Sequence, residues 1–482
     1  MGAVEYFYSV FVRQSTNRNG SITVQIVAKY HGKFKTLKTL GTSRDAQGVE
    51  RLLYAAHHEM RLMSKQHTLF VSEEDGKFEG ILSSLQNSHV RVVGPELIFG
   101  KLYDEIGYGL LKETLLRYLV LARISNPGSK LRTIDYLMRY RGIELSVDTI
   151  YRFLDTLTEK LKTKIEDLTF DYTKRVLGGK ISIVFYDMTT LHFESSTEDD
   201  FRRTGFSKTG KHYEPQIYLG LLVGKRGYPL GFEVFEGNIS EGKTIIPVLK
   251  QFESRFDIKK PIIVADAGLL SDKNLTALSA GGYPYIIGGR IKNESEKIKN
   301  EILSQKIEDG KWRELKKENG VRIILSYSEK RARKDESNRS RGLVNLEKKI
   351  KSGKLSKKHI NNKGYNKYLK LIGKVTVEID YEKFKEDKKW DGLKGYMTNT
   401  KLKGDLILEN YKNLWHIEKA FRISKTDLKI RPIYHRLKER IIAHLCIAIM
   451  AYTICKELER RLMKTKTTIT MTKAIFLSQT MY

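Results

Sequence analysis

Two short apolar runs that each close on an aspartate constrain this chain more than any other feature: ISIVFYD, ending at Asp187, and KPIIVAD, ending at Asp266. Near-continuous apolar runs of this length suit strands buried on both faces of a sheet. A carboxylate at the end of such a strand is costly to desolvate unless cations join it, so each aspartate either meets solvent or belongs to a site. The pattern around them has a definite order. QIYLGLLVGKRGYPLGFEVFEG reads as a hairpin about GKRGYP, KTIIPVLKQFESRF as an amphipathic helix, SDKNLTALSAGG as a second helix and YPYIIGGR as a strand. From Lys180 the elements run strand, hairpin, helix, strand, helix, strand, which is an α/β arrangement.

Other kinds of element flank this core. From Tyr6 to Gly41, alternating stretches broken at NRNG and HGK predict short strands in hairpins, a small β-rich module assigned to residues 1–93. Residues 94–177 carry helical spacing, as in LLKETLLRYLVLARI, with a break at SNPGSK. Within them LRTIDYLMRYRGIELSVDTIYRFLDTLTEK reads as helix, short turn, helix, with Ser146 capping the second helix. Such a pair can set Thr149, Tyr151 and Arg152 into a DNA groove, or can be an ordinary helical hairpin. The core then occupies residues 178–290, a basic insertion 291–390, and the completion of the core with C-terminal helices 391–482. Residues 348–370 hold nine lysines and no acid, and further strands are possible at VRIILSYS and KVTVEID. Lysines interleaved with Tyr365 and Tyr368 suit phosphate contact; the alternative is a solvated arm.

Charge narrows the choice of partner. The 482 residues carry 87 Lys and Arg against 57 Asp and Glu, a net +30 that costs self-repulsion in a compact fold. An anionic partner explains it, nucleic acid first and a membrane surface second. The longest apolar run, IIAHLCIAIMAYTIC, contains a His and falls short of the ~20 residues of a spanning helix, so it predicts a buried helix and no membrane partner. The start, MGAVEYFYSVFVRQ, has neither the basic head nor the apolar core of a secretion signal, which predicts a cytoplasmic protein. Cys446 and Cys455 lie nine residues apart in the apolar run and read as inert packing residues.

FEGNISEGKT contains Gly237, Gly242, Lys243 and Thr244 at the spacing of a phosphate-cradling P-loop. A working P-loop follows a buried parallel strand and aims backbone N–H groups at phosphate. Here the preceding strand is the alternating second arm of a hairpin, and Glu236 and Glu241 would set two carboxylates beside a polyphosphate. A strand end and a turn into the next helix explain the glycines more simply. An NTPase, with KPIIVADAG as its magnesium strand, is the alternative.

A third acid completes a set. Glu418 lies in ENYKNLWHIEKAFRISKTDL, which has helical spacing, with Tyr411 and Lys425 seven residues to either side. On a regular helix seven steps return to within about 20° of one face. Two strand-end carboxylates and one from a facing helix supply hard oxygen ligands for two divalent cations. At these residues the chain resembles the DDE-type insertion-sequence transposases, in the group whose third acid lies in a Tyr-x2-Arg-x3-Glu-x6-Lys signature. Tyr411, Glu418 and Lys425 match it; Leu414 stands where the signature has Arg, and Arg422 is the nearby cation that can substitute. YDMTTLHFE, GFSKTGKHYEPQIYLGLLV, VADAGLLSDKNL and SYSEKRARKD are also similar to one branch of that group.

The resemblance spans most of residues 100–460 and implies an RNase H-like catalytic core, a mixed sheet flanked by helices and interrupted by the basic insertion. It implies Asp187, Asp266 and Glu418 as catalytic and metal-binding acids, two Mg²⁺ ions with Mn²⁺ as a substitute, and Tyr411, Arg422 and Lys425 on the DNA backbone. The implied activity is metal-dependent cleavage at the ends of an insertion element and strand transfer into target double-stranded DNA. A homodimer would form the synaptic complex, in a prokaryotic cytoplasm beside the nucleoid. Relatives can stack an aromatic ring on an extruded base, a role for which Trp312 and Trp390 are the candidates. Two alternatives share the fold: a nuclease that cuts without joining strands, and a non-catalytic DNA-binding regulator.

Overall fold

The computed structural model describes residues 9–30, 33–63, 91–157, 159–195, 197–207, 210, 213–256, 258, 260–269, 271–361, 364–372 and 376–482. The chain divides into two compact units, Met1–His89 and Val90–Tyr482. In the first, the alternating stretches Ser9–Thr16 (β1), Ile22–Tyr30 (β2) and Lys33–Ser43 (β3) form an antiparallel sheet in that order. The first hairpin turns at residues 17–20, where Gly20 takes φ +78° and the Asn17 amide donates to Ser21 and Thr23. A helix, Ala46–Met63, follows the strands of this β-rich module. It covers one face of the sheet, burying Val49 and Ala56 with Val24 and Ile26.

The second unit is built on a mixed sheet of eight strands. In chain order these are Ile183–His192 (β4), Gln216–Val223 (β5), Pro229–Glu236 (β6), Ile262–Ala265 (β7), Tyr285–Gly289 (β8), Trp312–Lys316 (β9), Arg322–Tyr327 (β10) and, later, Leu393–Thr398. Two short strands, Leu369–Ile372 (β11) and Thr376–Ile379 (β12), pair only with each other, which makes Leu393–Thr398 β13. The spatial order is β6-β5-β4-β7-β8-β13-β10-β9. β4, β5 and β6 are antiparallel neighbours, β4, β7 and β8 run parallel, and β13, β10 and β9 continue antiparallel. This is an RNase H-like core, a mixed sheet flanked by helices, as the family resemblance implies and with the α/β order read from Lys180.

One boundary needs correction. The segment 291–390 does not stand wholly outside the core as an insertion, because β9 and β10 extend the central sheet beyond β13. The cause lies in RIILSY: Ile324 packs into the main cluster, while Ile323 and Leu325 on the opposite face bury with Ile291 and Ile302. A strand covered on both faces belongs inside a sheet. Between Glu329 and Asp387 the chain builds a small core of its own around Leu346, Tyr368, Leu369 and Ile379.

Strand alternation sorts the main sheet into two faces. Val184, Tyr186 and Met188 of β4 bury beneath the helices Ile245–Phe256 and Asp272–Ala280. Phe185, Leu191 and Phe193 join the larger cluster on the other face, with helices from both before and after the sheet. The helical region 94–177 thus belongs to the same body as the sheet. At its centre lies Lys438–Lys464, 27 residues long and apolar enough to cross a membrane by composition, yet buried throughout residues 443–458. Burial on all sides marks it as the central helix of the core. Cys446 and Cys455 are free thiols within it, and burial pushes the Cys455 thiol up to about 12.

The P-loop spacing at residues 237–244 is a turn. β6 is an antiparallel edge strand, and Thr244 is fully buried, accepting a hydrogen bond from Tyr186 of β4 at 2.9 Å. A Cβ on Gly237 would collide with the carbonyl oxygens of Gln216 and Arg203. Its glycine serves close chain approach, not phosphate binding.

Candidate active site

Register brings the first two acids together. Across the parallel pair β4 and β7, Ile183 aligns with Ile262, Phe185 with Val264 and Tyr186 with Ala265. Asp187 and Asp266 are the next residues, so their carboxylates leave neighbouring strands side by side. Each shares a face with the residue two before it, Phe185 and Val264, and both of those lie in the cluster that holds Ile417, Ala420 and Phe421 of the helix Trp415–Arg422. Alternation therefore aims both aspartates toward the Glu418 helix. Both are half-buried, and backbone N–H groups steady them: Met188 donates to Asp187 Oδ1 at 2.7 Å, and Gly268 to Asp266 Oδ1 at 2.6 Å.

The third acid arrives on a broken helix. Leu414, Ile417, Ala420 and Phe421 form the buried stripe, which leaves Glu418 exposed at its flank. A continuous helix through Tyr411, Glu418 and Lys425 does not form. The helix Gly404–Lys412 ends in i→i+3 bonds, from Asn413 N–H to the Asn410 carbonyl (3.2 Å) and from Leu414 N–H to that of Tyr411 (3.0 Å), and the next helix opens on two more, from His416 to Asn413 (3.0 Å) and from Ile417 to Leu414 (3.1 Å). The helix Trp415–Arg422 then widens into a π turn, Ile423–Asp427. Leu414 is 7% exposed and faces the apolar cluster, so no phosphate contact comes from this position.

Packing, not helical period, decides where the flanking side chains lie. Tyr411 packs edge-on against Tyr396 of β13, ring centroids 4.7 Å apart, and its hydroxyl lies over Gly288 of β8, where a Cβ would stand 2.5 Å from it. Burial raises the Tyr411 phenol well above its ordinary value; Asp266, Tyr396 and Glu418 raise it further. It is therefore within electrostatic reach of the second and third acids, and it remains a hydrogen-bond donor. The Lys394 ammonium of β13 stands 4.5 Å from the Tyr411 ring centroid. Burial and Arg331 lower its pKa, and Glu418 partly offsets them. The Lys425 ammonium donates to the Thr189 hydroxyl, two residues past Asp187 on the same face of β4. Arg422 is exposed one turn beyond Glu418.

Lys394 and Arg331 have no assigned role in the sequence reading. Arg331 lies inside SYSEKRARKD and Lys394 inside WDGLKGYMTNT, but no local spacing ties either to Glu418. Only the pairing of β13 with β8 carries Lys394 to this place.

The other sequence candidates have different surroundings. Ser146 caps the helix Val147–Thr156, accepting from Thr149 N–H at 3.1 Å, and the two hydroxyls bond at 2.9 Å. Tyr151 packs edge-on against His435 at 5.9 Å with Arg440 over its ring at 4.9 Å, while Arg152 is exposed. The buried pair Ile150 and Leu154 turns Tyr151 partly inward. Trp312 packs on Gly404, and its Nε1–H donates to Asp405 at 2.8 Å. Trp390 is half-buried beside the Ile291 cluster. Both tryptophans thus take part in packing in this structure.

Among the described residues, no three His, Cys, Asp or Glu side chains are gathered into a ready-made metal cage. The donor chemistry still suits hard divalent cations: two carboxylates on neighbouring strands and a third exposed on the helix Trp415–Arg422.

A mixed sheet whose parallel neighbours β4 and β7 carry Asp187 within one strand and Asp266 just past the other, with the Glu418 helix packed on the same cluster, is the arrangement of an RNase H-like core. The family described as "Transposase DDE domain" matches residues 178–454, and the chain belongs to it: it is a DNA transposase. Transposases of this kind generally use divalent metals. Among solved structures the chain is similar to a piggyBac transposase synaptic complex with hairpin DNA, at 9% identity and TM-score 0.41, over 76% of this chain and 69% of that one. It is also similar to a Mos1 transposase paired-end complex with left transposon end, at 10% identity and TM-score 0.16, covering 35% and 56%. A Mos1 mariner paired end complex with Mn gives 10% and 0.16 over 48% and 72%. No curated protein matches the sequence. The family match, not these structural likenesses, carries the assignment.

Proposed function

We propose that Asp187, Asp266 and Glu418 are the catalytic acids of this transposase and hold two Mg²⁺ ions, for which Mn²⁺ can substitute. The observation that carries the reading is the register of β4 and β7, in which the aligned pair Tyr186 and Ala265 immediately precedes the two aspartates. Bound metal supplies Lewis-acid polarisation of the phosphodiester and a nucleophilic oxygen at neutral pH.

The chain's own groups hold and orient the DNA. Tyr411, kept protonated by burial and by Asp266, donates to a backbone phosphate beside the cut. Lys394, Arg422 and Lys425 supply positive charge around the same phosphates. Arg152, with Thr149 and Tyr151 on its helix, and the lysine-rich residues 348–370 hold flanking double-stranded DNA. At each element end, water attacks phosphorus and the 3′ oxygen departs; the freed 3′-OH then attacks a target phosphodiester. Each step exchanges one P–O bond for another, so no covalent protein intermediate is needed. A homodimer joins the two ends, in the cytoplasm beside the nucleoid.

The test combines labelled element-end DNA, a target plasmid and Mg²⁺ with the purified protein. Joined plasmid products are expected. Cut ends without joining would make the protein a nuclease, and binding without either would make it a regulator.

A further inference from the structure

Away from the acids lies a cavity of ≈ 500 Å³, a size suited to a nucleotide. It is bounded by the helices Thr114–Ser125, Lys130–Arg141 and Val147–Thr156, and by the segment 429–435. Arg123, Lys130, Lys429 and Arg431 line it, and among the described lining residues none is acidic. Arg123 is 6% exposed, and its guanidinium donates to the carbonyls of Gly128, Leu428 and Lys429 at 3.3 to 3.4 Å. Asp155, whose charge reaches His435, is held by Arg440 through two hydrogen bonds of 2.5 and 2.7 Å.

Lys429 and Arg431 are exposed at the rim, but Arg123 is buried and Lys130 half-buried, and cations so placed without a facing acid are costly. Burial and the Arg123 charge push the Lys130 ammonium down to about 7, and burial with Lys130 pushes the His435 imidazole down to about 3. An anion in the cavity would relieve all of these.

Recognition groups other than charge stand beside them. Tyr151 and the 67% exposed Tyr434 contribute aromatic rings to the lining. His444, 6% exposed, donates from Nε2 to the Ile430 carbonyl at 3.0 Å, which leaves Nδ1 an acceptor without a partner among the described residues. The location suits a strand leaving the active site: Lys429 follows the π turn that carries Lys425, and Ile433 bridges to Phe193, just past the end of β4.

We infer that this cavity binds one nucleotide of a DNA strand, its phosphate against Lys130 and Arg123 and its base against Tyr434 or Tyr151. The inference rests on the transposase reading only for the source of the nucleotide, since a free deoxynucleotide offers the same phosphate and base.

The test uses the full chain as wild type, Lys130→Gln and Tyr434→Ala. Binding of a labelled element-end oligonucleotide is followed by anisotropy over a salt series, with deoxyadenosine monophosphate and inorganic phosphate as competitors. Lys130→Gln should weaken binding about five- to tenfold and lower the salt slope by roughly 0.7 to 0.9, one phosphate contact. Tyr434→Ala should weaken it by a similar factor. Lys130→Gln should not lower Tm, because it removes a charge that the empty cavity strains to hold, so lost folding does not mimic the result. If both variants bind DNA normally but lose the mononucleotide that wild type binds, the cavity takes a free nucleotide and the shared chemistry stands. Unchanged affinity of Lys130→Gln for both probes, at an unchanged salt slope, overturns the inference. Failure of the catalytic reading is separable, because it is scored on cleavage by Asp187→Asn, which leaves this cavity intact.

Discussion

The hydroxyl of Tyr411 lies over Gly288 so closely that a Cβ there would stand 2.5 Å from it. β8 thus reserves, by lacking one methyl group, the space from which Tyr411 meets the field of Asp266 and Glu418. Gly288→Ala should displace the phenol and reduce DNA cleavage roughly 10²- to 10³-fold, the scale of losing one positioned donor. Tyr411→Phe should cost a similar amount, and the double variant little more than either alone. Single-turnover cleavage measures all three.

Asp187→Asn and Asp266→Asn preserve side-chain volume at positions, one within β4 and one just past β7, whose neighbours are tightly packed. Each should lower cleavage by roughly 10⁴-fold or more, the scale of removing a central catalytic group, with DNA affinity and circular dichroism retained. Chelation of divalent cations should abolish cleavage by the wild type, and Mg²⁺ or Mn²⁺ should restore it.

Glu457 is fully buried in the central helix and accepts hydrogen bonds from Arg460 (2.6 and 2.8 Å), Arg461 (2.7 Å) and Tyr228 (3.0 Å). Burial alone would raise its carboxyl, but bonds from Arg460, Arg461 and Tyr172 outweigh it and hold the group at about 2, against an ordinary 4.5. A depressed folded-state value contributes stability that is complete above the unfolded value and is lost as pH falls from there toward 2. Urea midpoints of the wild type should therefore drop between about pH 5 and 3. Glu457→Gln should flatten that dependence and destabilise the fold by about 2–3 kcal/mol at neutral pH.

Arg322 of β10 ties the sheet edge to the chain that leads into the Tyr411 helix. It donates to Glu314 of β9 at 2.6 and 2.8 Å and to the Leu402 carbonyl at 2.9 Å. Arg322→Ala should cost about 2–3 kcal/mol and release β9 amides to hydrogen exchange before those of β13.

Most of the framework can be read along the chain. Continuous apolar runs mark β4 and β7, the alternating hairpin marks β5 and β6, and the spacing around Glu418 marks the third acid. These signals are local, because strand and helix periods repeat within a few residues. Other features escaped for the same reason. RIILSY joins the central sheet because both of its faces find cover in distant segments, Trp312 is claimed by Gly404 and Asp405, and Lys394 reaches Tyr411 through the pairing of β13 with β8. The seven-residue spacing from Tyr411 to Lys425 suggested a shared helical face, yet the path between them is broken by tight bonds at one end of the Glu418 helix and a π turn at the other.

By itself, the sequence determined the family, the kinds of element and the identity of the candidate acids, since each depends on residues a short distance apart or on their chemistry. Only the tertiary structure decided which strands adjoin, which side of the sheet the aspartates face, and which cations share a cavity without an acid. Those outcomes depend on register and burial between segments hundreds of residues apart, as where Arg123 meets the carbonyls of Leu428 and Lys429, and no local period encodes them.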